Sequence, residues 1–116
     1  MALVTVNNKE LEVKISLFES IQALQRSFSL PLSKVRGATA DSNYIKAGLG
    51  FRAPGTEFPG VIAKGNFYKK GDRQLSLWQK GQEIVVIELK GSKWDRLVVG
   101  CEDSNALAHA INSAIS

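Results

Sequence analysis

Gly48-Leu49-Gly50-Phe51-Arg52-Ala53-Pro54-Gly55-Thr56-Glu57-Phe58-Pro59-Gly60 holds four of the chain's ten glycines and two of its three prolines within thirteen residues. Proline fixes φ and removes a backbone donor, and glycine loses the most freedom on ordering. Neither a helix nor a regular strand is therefore expected to cross this stretch. Two phenylalanines and an arginine lie inside it, which a passive linker does not need. The expectation is an ordered loop, residues 48–60, that joins two halves of one β-rich domain. In one reading, Pro54-Gly55-Thr56 and Phe58-Pro59-Gly60 are two turns that pin the phenylalanines into the core. In the other, Phe51, Arg52, Thr56 and Phe58 line a contact surface for a peptide, a small ligand or another copy of the chain, as loops on rigid scaffolds often do.

Before the loop the signal is β with one helical interruption. Residues 2–7 are β-prone, and Leu11, Val13 and Ile15 alternate with charged or polar neighbours over residues 10–16, the period of a half-buried strand. Asn7-Asn8 suits the turn of a first hairpin. Leu17, Phe18, Ile21 and Leu24 then recur at helical spacing, with Ser16 as N-cap and Glu19 in the first turn. This predicts a two-turn helix, too short to stand alone in water. A third strand is expected from about Leu32 to Ala40, with Gly37 as a weak point.

After the loop the β pattern strengthens. Strands are expected over Val61–Tyr68 and around Leu75–Gln79, and Ile84-Val85-Val86-Ile87 reads as a strand buried on both faces. A last strand is expected over Trp94–Gly100. Turns at Lys69–Asp72, Lys80–Gln82 and Lys90–Ser92 recur every 8 to 12 residues, the spacing of an antiparallel meander. Asp103 is placed to cap a closing helix whose apolar face is Leu107, Ala110, Ile111, Ala114 and Ile115. The order is seven strands, a short helix after the second, and one amphipathic helix at the end.

A chain of 116 residues with 44% hydrophobic and 22% charged content suits a single domain, residues 1–116, with one core. Its formal charge is +4. The excess is concentrated between Val61 and Gly81, where Lys64, Lys69, Lys70, Arg73 and Lys80 stand against Asp72 alone, and it reads as the solvated dressing of a hairpin. One cysteine, Cys101, excludes an intrachain disulfide, and its apolar approach predicts a buried, inert thiol. No basic leader and no apolar run of spanning length are present, so a cytoplasmic protein without a membrane span is expected.

Two stretches carry a resemblance. Phe51-Arg52-Ala53-Pro54-Gly55-Thr56-Glu57-Phe58-Pro59-Gly60-Val61-Ile62-Ala63-Lys64-Gly65-Asn66-Phe67 and Trp94-Asp95-Arg96-Leu97-Val98-Val99-Gly100-Cys101-Glu102-Asp103 resemble parts of small bacterial proteins assigned to a pleckstrin-homology-like domain family. The likeness covers nearly the whole chain and is clearest from Phe51 onward. It implies a bent seven-stranded antiparallel sheet or partial barrel with the C-terminal helix stoppering one open end. It implies no activity.

The side chains point away from several chemistries. Phosphoinositide-binding members of that fold use a basic loop between the first two strands, whereas Asn7-Asn8-Lys9 offers one base. Lys69, Lys70 and Arg73 are the better candidates for an anionic partner, at about 1 kcal/mol each near an anionic membrane. His109 is the only histidine and is expected to face solvent, so neither a metal set nor a Cys–His pair with Cys101 is expected. No P-loop is present, and no cofactor is implied. Phe67 and Trp78 read as core, which leaves too few aromatics among the bases for nucleic acid. The chain is accordingly expected to be a non-enzymatic binding or assembly module for a protein or peptide partner, including another copy of itself. The alternative is a ligand-binding or catalytic protein with residues 48–60 as a pocket rim, Arg52 among its polar groups.

Overall fold

Apolar residues alternating with charged ones between Glu10 and Lys14 build the first strand pair, and in the computed structural model they face a core. The structure describes residues 3–23, 25–44, 51–58, 62–69 and 71–116, with Leu17, Phe18 and residues 51–58 described by backbone alone. Strand β1 (Leu3–Val6) pairs antiparallel with β2 (Glu10–Lys14), and β2 with β3 (Phe28–Pro31), forming a three-stranded sheet. Asn7 Oδ1 accepts from the amides of Lys9 and Glu10 and fixes the first turn. Helix α1 (Leu17–Ala23) follows β2, with Ser16 Oγ accepting from the Glu19 amide.

The expected third strand is two. Pro31 has no N–H to extend the small sheet, and the chain makes a 3-10 turn over Leu32–Lys34 before β4 (Val35–Ala40) enters a second sheet. That sheet also holds β5 (Phe51–Phe58), β6 (Ile62–Lys69), β7 (Asp72–Gln79), β8 (Glu83–Leu89) and β9 (Arg96–Cys101), in the order β4-β8-β9-β7-β6-β5. Among the described residues there are thus nine strands in two sheets, where one bent seven-stranded sheet was expected. The meander is also interrupted. β9 slots between β8 and β7 and runs parallel to β7. Leu97, Val98 and Val99, at most 1% exposed, take this central position because they are apolar towards both faces.

The expectation of a loop across residues 48–60 is corrected for 51–58, which form a strand; residues 48–50, 59 and 60 lie outside the described residues. A proline survives here because β5 ends the sheet and, among the described residues, is bonded on one side only. The register with β6 shifts between Arg52 and Gly55, which absorbs Ala53-Pro54 as an irregularity.

Both faces of the large sheet are apolar. Towards the small sheet, Leu75, Leu77, Val85, Ile87, Leu97 and Val99 join Leu11, Val13, Ala23 and Ile111 in one core. On the opposite face Phe67, Trp78, Ile84, Val86 and Val98 form a second cluster, with Tyr44 against it. A Cβ at Gly100 would overlap the Gln82 carboxamide, so a larger residue there would have to push that flexible side chain off β9.

Two helices close the sides of the sandwich. Helix α2 (Ser104–Ile115) lies against β4, β8 and β1, and the Asp103 carboxylate accepts from the Ala106 amide as expected. Its buried stripe runs through Ser104, Ala108 and Ile111, so Ala108 is in place of the expected Ala110, which is exposed. Asn112 bonds the outward edge of β4. Its Oδ1 accepts from the Ala38 amide at 2.9 Å and its Nδ2 donates to the Ala38 carbonyl at 2.8 Å. These are the bonds that a neighbouring strand would make. Replacing Asn112 by alanine leaves both Ala38 groups without the amide, with an expected loss of about 1–3 kcal/mol. Urea denaturation measures it, and faster exchange of the Ala38 amide locates it.

Helix α1 lies over β5, β6 and β7. Beneath it Lys64, 1% exposed, places its ammonium 3.1 Å from Glu19 Oε2 and 2.9 Å from both Gln22 Oε1 and Gln79 Oε1. Lys64 is therefore an interior residue and not part of a solvated basic hairpin.

Candidate functional site

Chain connections converge at the end of the large sheet where β6 turns into β7. Lys69 faces Asp72 and Tyr68 faces Arg73 across that hairpin. Gln74 faces Arg96, which also faces Glu88, and Val35 faces Leu89. Backbone bonds tie in the small sheet, from Leu32 N to Lys9 O and from Lys90 N to Lys34 O, each 2.9 Å. Distant segments thereby bring Lys9, Lys34, Arg36, Lys69, Arg73, Lys90, Lys93 and Arg96 to one end, with Glu10, Asp72, Glu88 and Asp95. Among the residues whose side chains are described, eight bases against four acids leave an excess of four positive charges. At the opposite end, among the residues whose side chains are described, Asp41, Glu83, Glu102 and Asp103 stand with Lys80, an excess of three negative charges. The described charges are thus polarised along the strands.

A groove of about 230 Å³ opens at the cationic end, lined by Tyr44, Lys69, Asp72 and Arg96. Arg96 Nη2 donates to Asp72 Oδ2 at 2.6 Å, and its Nε lies 3.4 Å from Glu88 Oε1. The Tyr44 hydroxyl donates to Oε1 of the buried Gln74. Arg96 thus holds Asp72 at the groove and Glu88 beside it. Burial opposes the Arg96 charge, but Asp72, Tyr44 and Glu88 outweigh it and raise the pKa further. Tyr44 is raised above its ordinary value of 10.0, chiefly by burial and then by Glu88 and Asp72, with Arg96 pulling the other way.

Because the folded state holds the Tyr44 proton more tightly than the unfolded chain, the stabilisation is complete below pH 10.0 and is lost as pH rises through the folded value. Tyr44→Phe should remove part of this alkaline loss. Urea midpoints measured on either side of that pH would show a shallower fall for the variant.

The structure disperses the residues nominated from the sequence. Phe51, Arg52, Thr56 and Phe58 lie along β5, opposite Tyr68, Phe67, Lys64 and Ile62. Lys69 lines the groove, and Lys70 lies outside the described residues. Arg73 is exposed, donates to the Ser92 carbonyl at 3.1 Å and lies 3.7 Å from Asp95. Tyr44, Arg96, Lys34, Lys90 and Lys93 were not nominated, since only the fold gathers them. Cys101 is half-buried and not fully interior; burial and the charges of Glu83 and Asp103 push its thiol up. His109 is exposed on α2. Among the described residues no group of three His, Cys, Asp or Glu is placed to hold a metal, and no helix is long and apolar enough to cross a membrane.

A second hollow of about 340 Å³ follows the β4 edge, lined by Arg36, Gly37, Ala38, Thr39, Glu88 and Asn112. No protein-family model matches the chain, and no curated protein and no solved structure matches it.

Proposed function

We propose that the chain is a non-enzymatic association module of pleckstrin-homology-like design, and that the partner strand for β5 is the β5 strand of a second copy. The observation that carries this is the position of β5, eight residues long, at the end of the six-stranded sheet. A terminal strand offers a second row of backbone donors and acceptors that another strand can pair with. Antiparallel pairing of two copies about a two-fold axis closes the assembly as a dimer. It also sets the cationic end of each copy beside the anionic end of the other, because β5 runs from Phe51, opposite Tyr68, to Phe58, opposite Ile62. Phe51, Arg52, Thr56 and Phe58 all belong to that strand. The pleckstrin-homology-like reading draws support from two β layers closed by a capped C-terminal helix and from the short helix after β2. The parallel β7–β9 pair is its main departure.

Sedimentation velocity over a wide range of concentration tests the reading. The expected result is a monomer–dimer equilibrium that weakens as salt is added. A single monomer species at every concentration would remove it.

A further inference from the structure

We infer that the cationic end is a docking surface for an acidic segment of another protein, separate from the β5 edge. Its most prominent bases are lysines. Lys90 and Lys93 are exposed on the β8–β9 turn, where Gly91 has φ +63°. The bond from Lys90 N to Lys34 O sets a third lysine beside them. The Lys93 ammonium stands 5.2 Å from the centre of the Trp94 ring, and the ring is itself buried against Phe28 at 4.9 Å between centroids. These charges are thus mounted on a rigid part of the fold.

The pattern of opposite charge selects the partner class. Arg73 and Arg96 are already engaged by Asp95, Asp72 and Glu88. The bases named at this end besides Arg73 and Arg96 are mostly lysines, with Arg36 as the further guanidinium, so compact ammonium charges outnumber the planar forks that grip phosphate bidentately. Carboxylates interleaved with the bases repel a continuous phosphate backbone, yet they accept the mixed charges of a protein surface. Tyr68 is the one large aromatic exposed here among the described residues, which is a poor platform for stacking bases. A carboxylate-bearing polypeptide fits better than nucleic acid or a lipid surface.

The test uses the full chain with fluorescently labelled polyglutamate at low salt, read by anisotropy. Binding is expected to weaken steadily with salt and to fall by about tenfold or more in K90E/K93E. The control K14E/K80E makes the same change in net charge away from this end and should bind as the parent does. Circular dichroism melting of each variant separates a surface effect from unfolding. The inference fails if polyglutamate does not bind, or if the control loses as much affinity as K90E/K93E. It also fails if an oligothymidylate or a phosphatidylserine vesicle of matched charge binds more tightly than polyglutamate. Measuring at a chain concentration where sedimentation velocity shows monomer alone keeps these outcomes distinct from association through β5.

Discussion

Replacing Glu19 by alanine should cost about 3–5 kcal/mol, because it leaves the Lys64 ammonium buried beneath α1 without its anion. Domains of this kind are held by about 5–15 kcal/mol in all, so the loss would bring the variant close to unfolding at room temperature. The two amide oxygens at 2.9 Å from Lys64 would remain, but they carry no net charge. The paired substitution Glu19→Leu with Lys64→Met should behave differently. An apolar pair of similar volume removes both desolvation costs, and such exchanges are often neutral or stabilising by about 1–4 kcal/mol. Urea unfolding of both single variants and the double variant measures the coupling. Additive losses in the double variant would show that the pair makes no direct contribution. The polar partners also specify position. Glu19, Gln22 and Gln79 meet one ammonium only when α1 sits at one place on the sheet, and a seven-residue helix is too short to hold its shape by its own backbone bonds.

Ile111→Ala should be the next most damaging change, at about 2–5 kcal/mol. Ile111 is 0% exposed and lies in the main core beside Ala108, at the side of the sandwich that α2 closes. Little can collapse into the space left by its side chain, because β4, β8 and β1 meet α2 there. Chemical denaturation gives the magnitude. Accelerated amide exchange in both β4 and β1 would show that the helix joins the two layers. A loss below about 1 kcal/mol, typical of a surface change, would contradict this placement.

Much of the scaffold is written in short-range pattern. Period-two alternation at Leu11 and Val13, the β-branched run 84–87 and the Asp103 cap all point to the elements observed. What was hidden depends on pairing between distant strands. Nothing local says that β9 inserts beside β7, since a hairpin to β8 satisfies the same pattern. β5 was misread because its prolines and glycines argue against an interior strand, whereas the terminal place in a sheet tolerates them. Lys64 gave one faint signal, a lone charge within the otherwise uncharged run from Ile62 to Phe67. Its partner, on α1 in another part of the chain, could not be named in advance. The cationic end is legible only in part, because Lys34, Lys90 and Lys93 lie far in sequence from the 61–81 segment that drew attention to basic charge.

Amide hydrogen exchange along β5, followed by mass spectrometry as the protein concentration is raised, bears on the proposed association at the strand that makes it. Peptides covering Phe51–Phe58 should exchange more slowly as the second copy pairs with that edge, while the β4 edge, held by Asn112, stays unchanged. Exchange in 51–58 that is the same at every concentration would contradict the association that we propose.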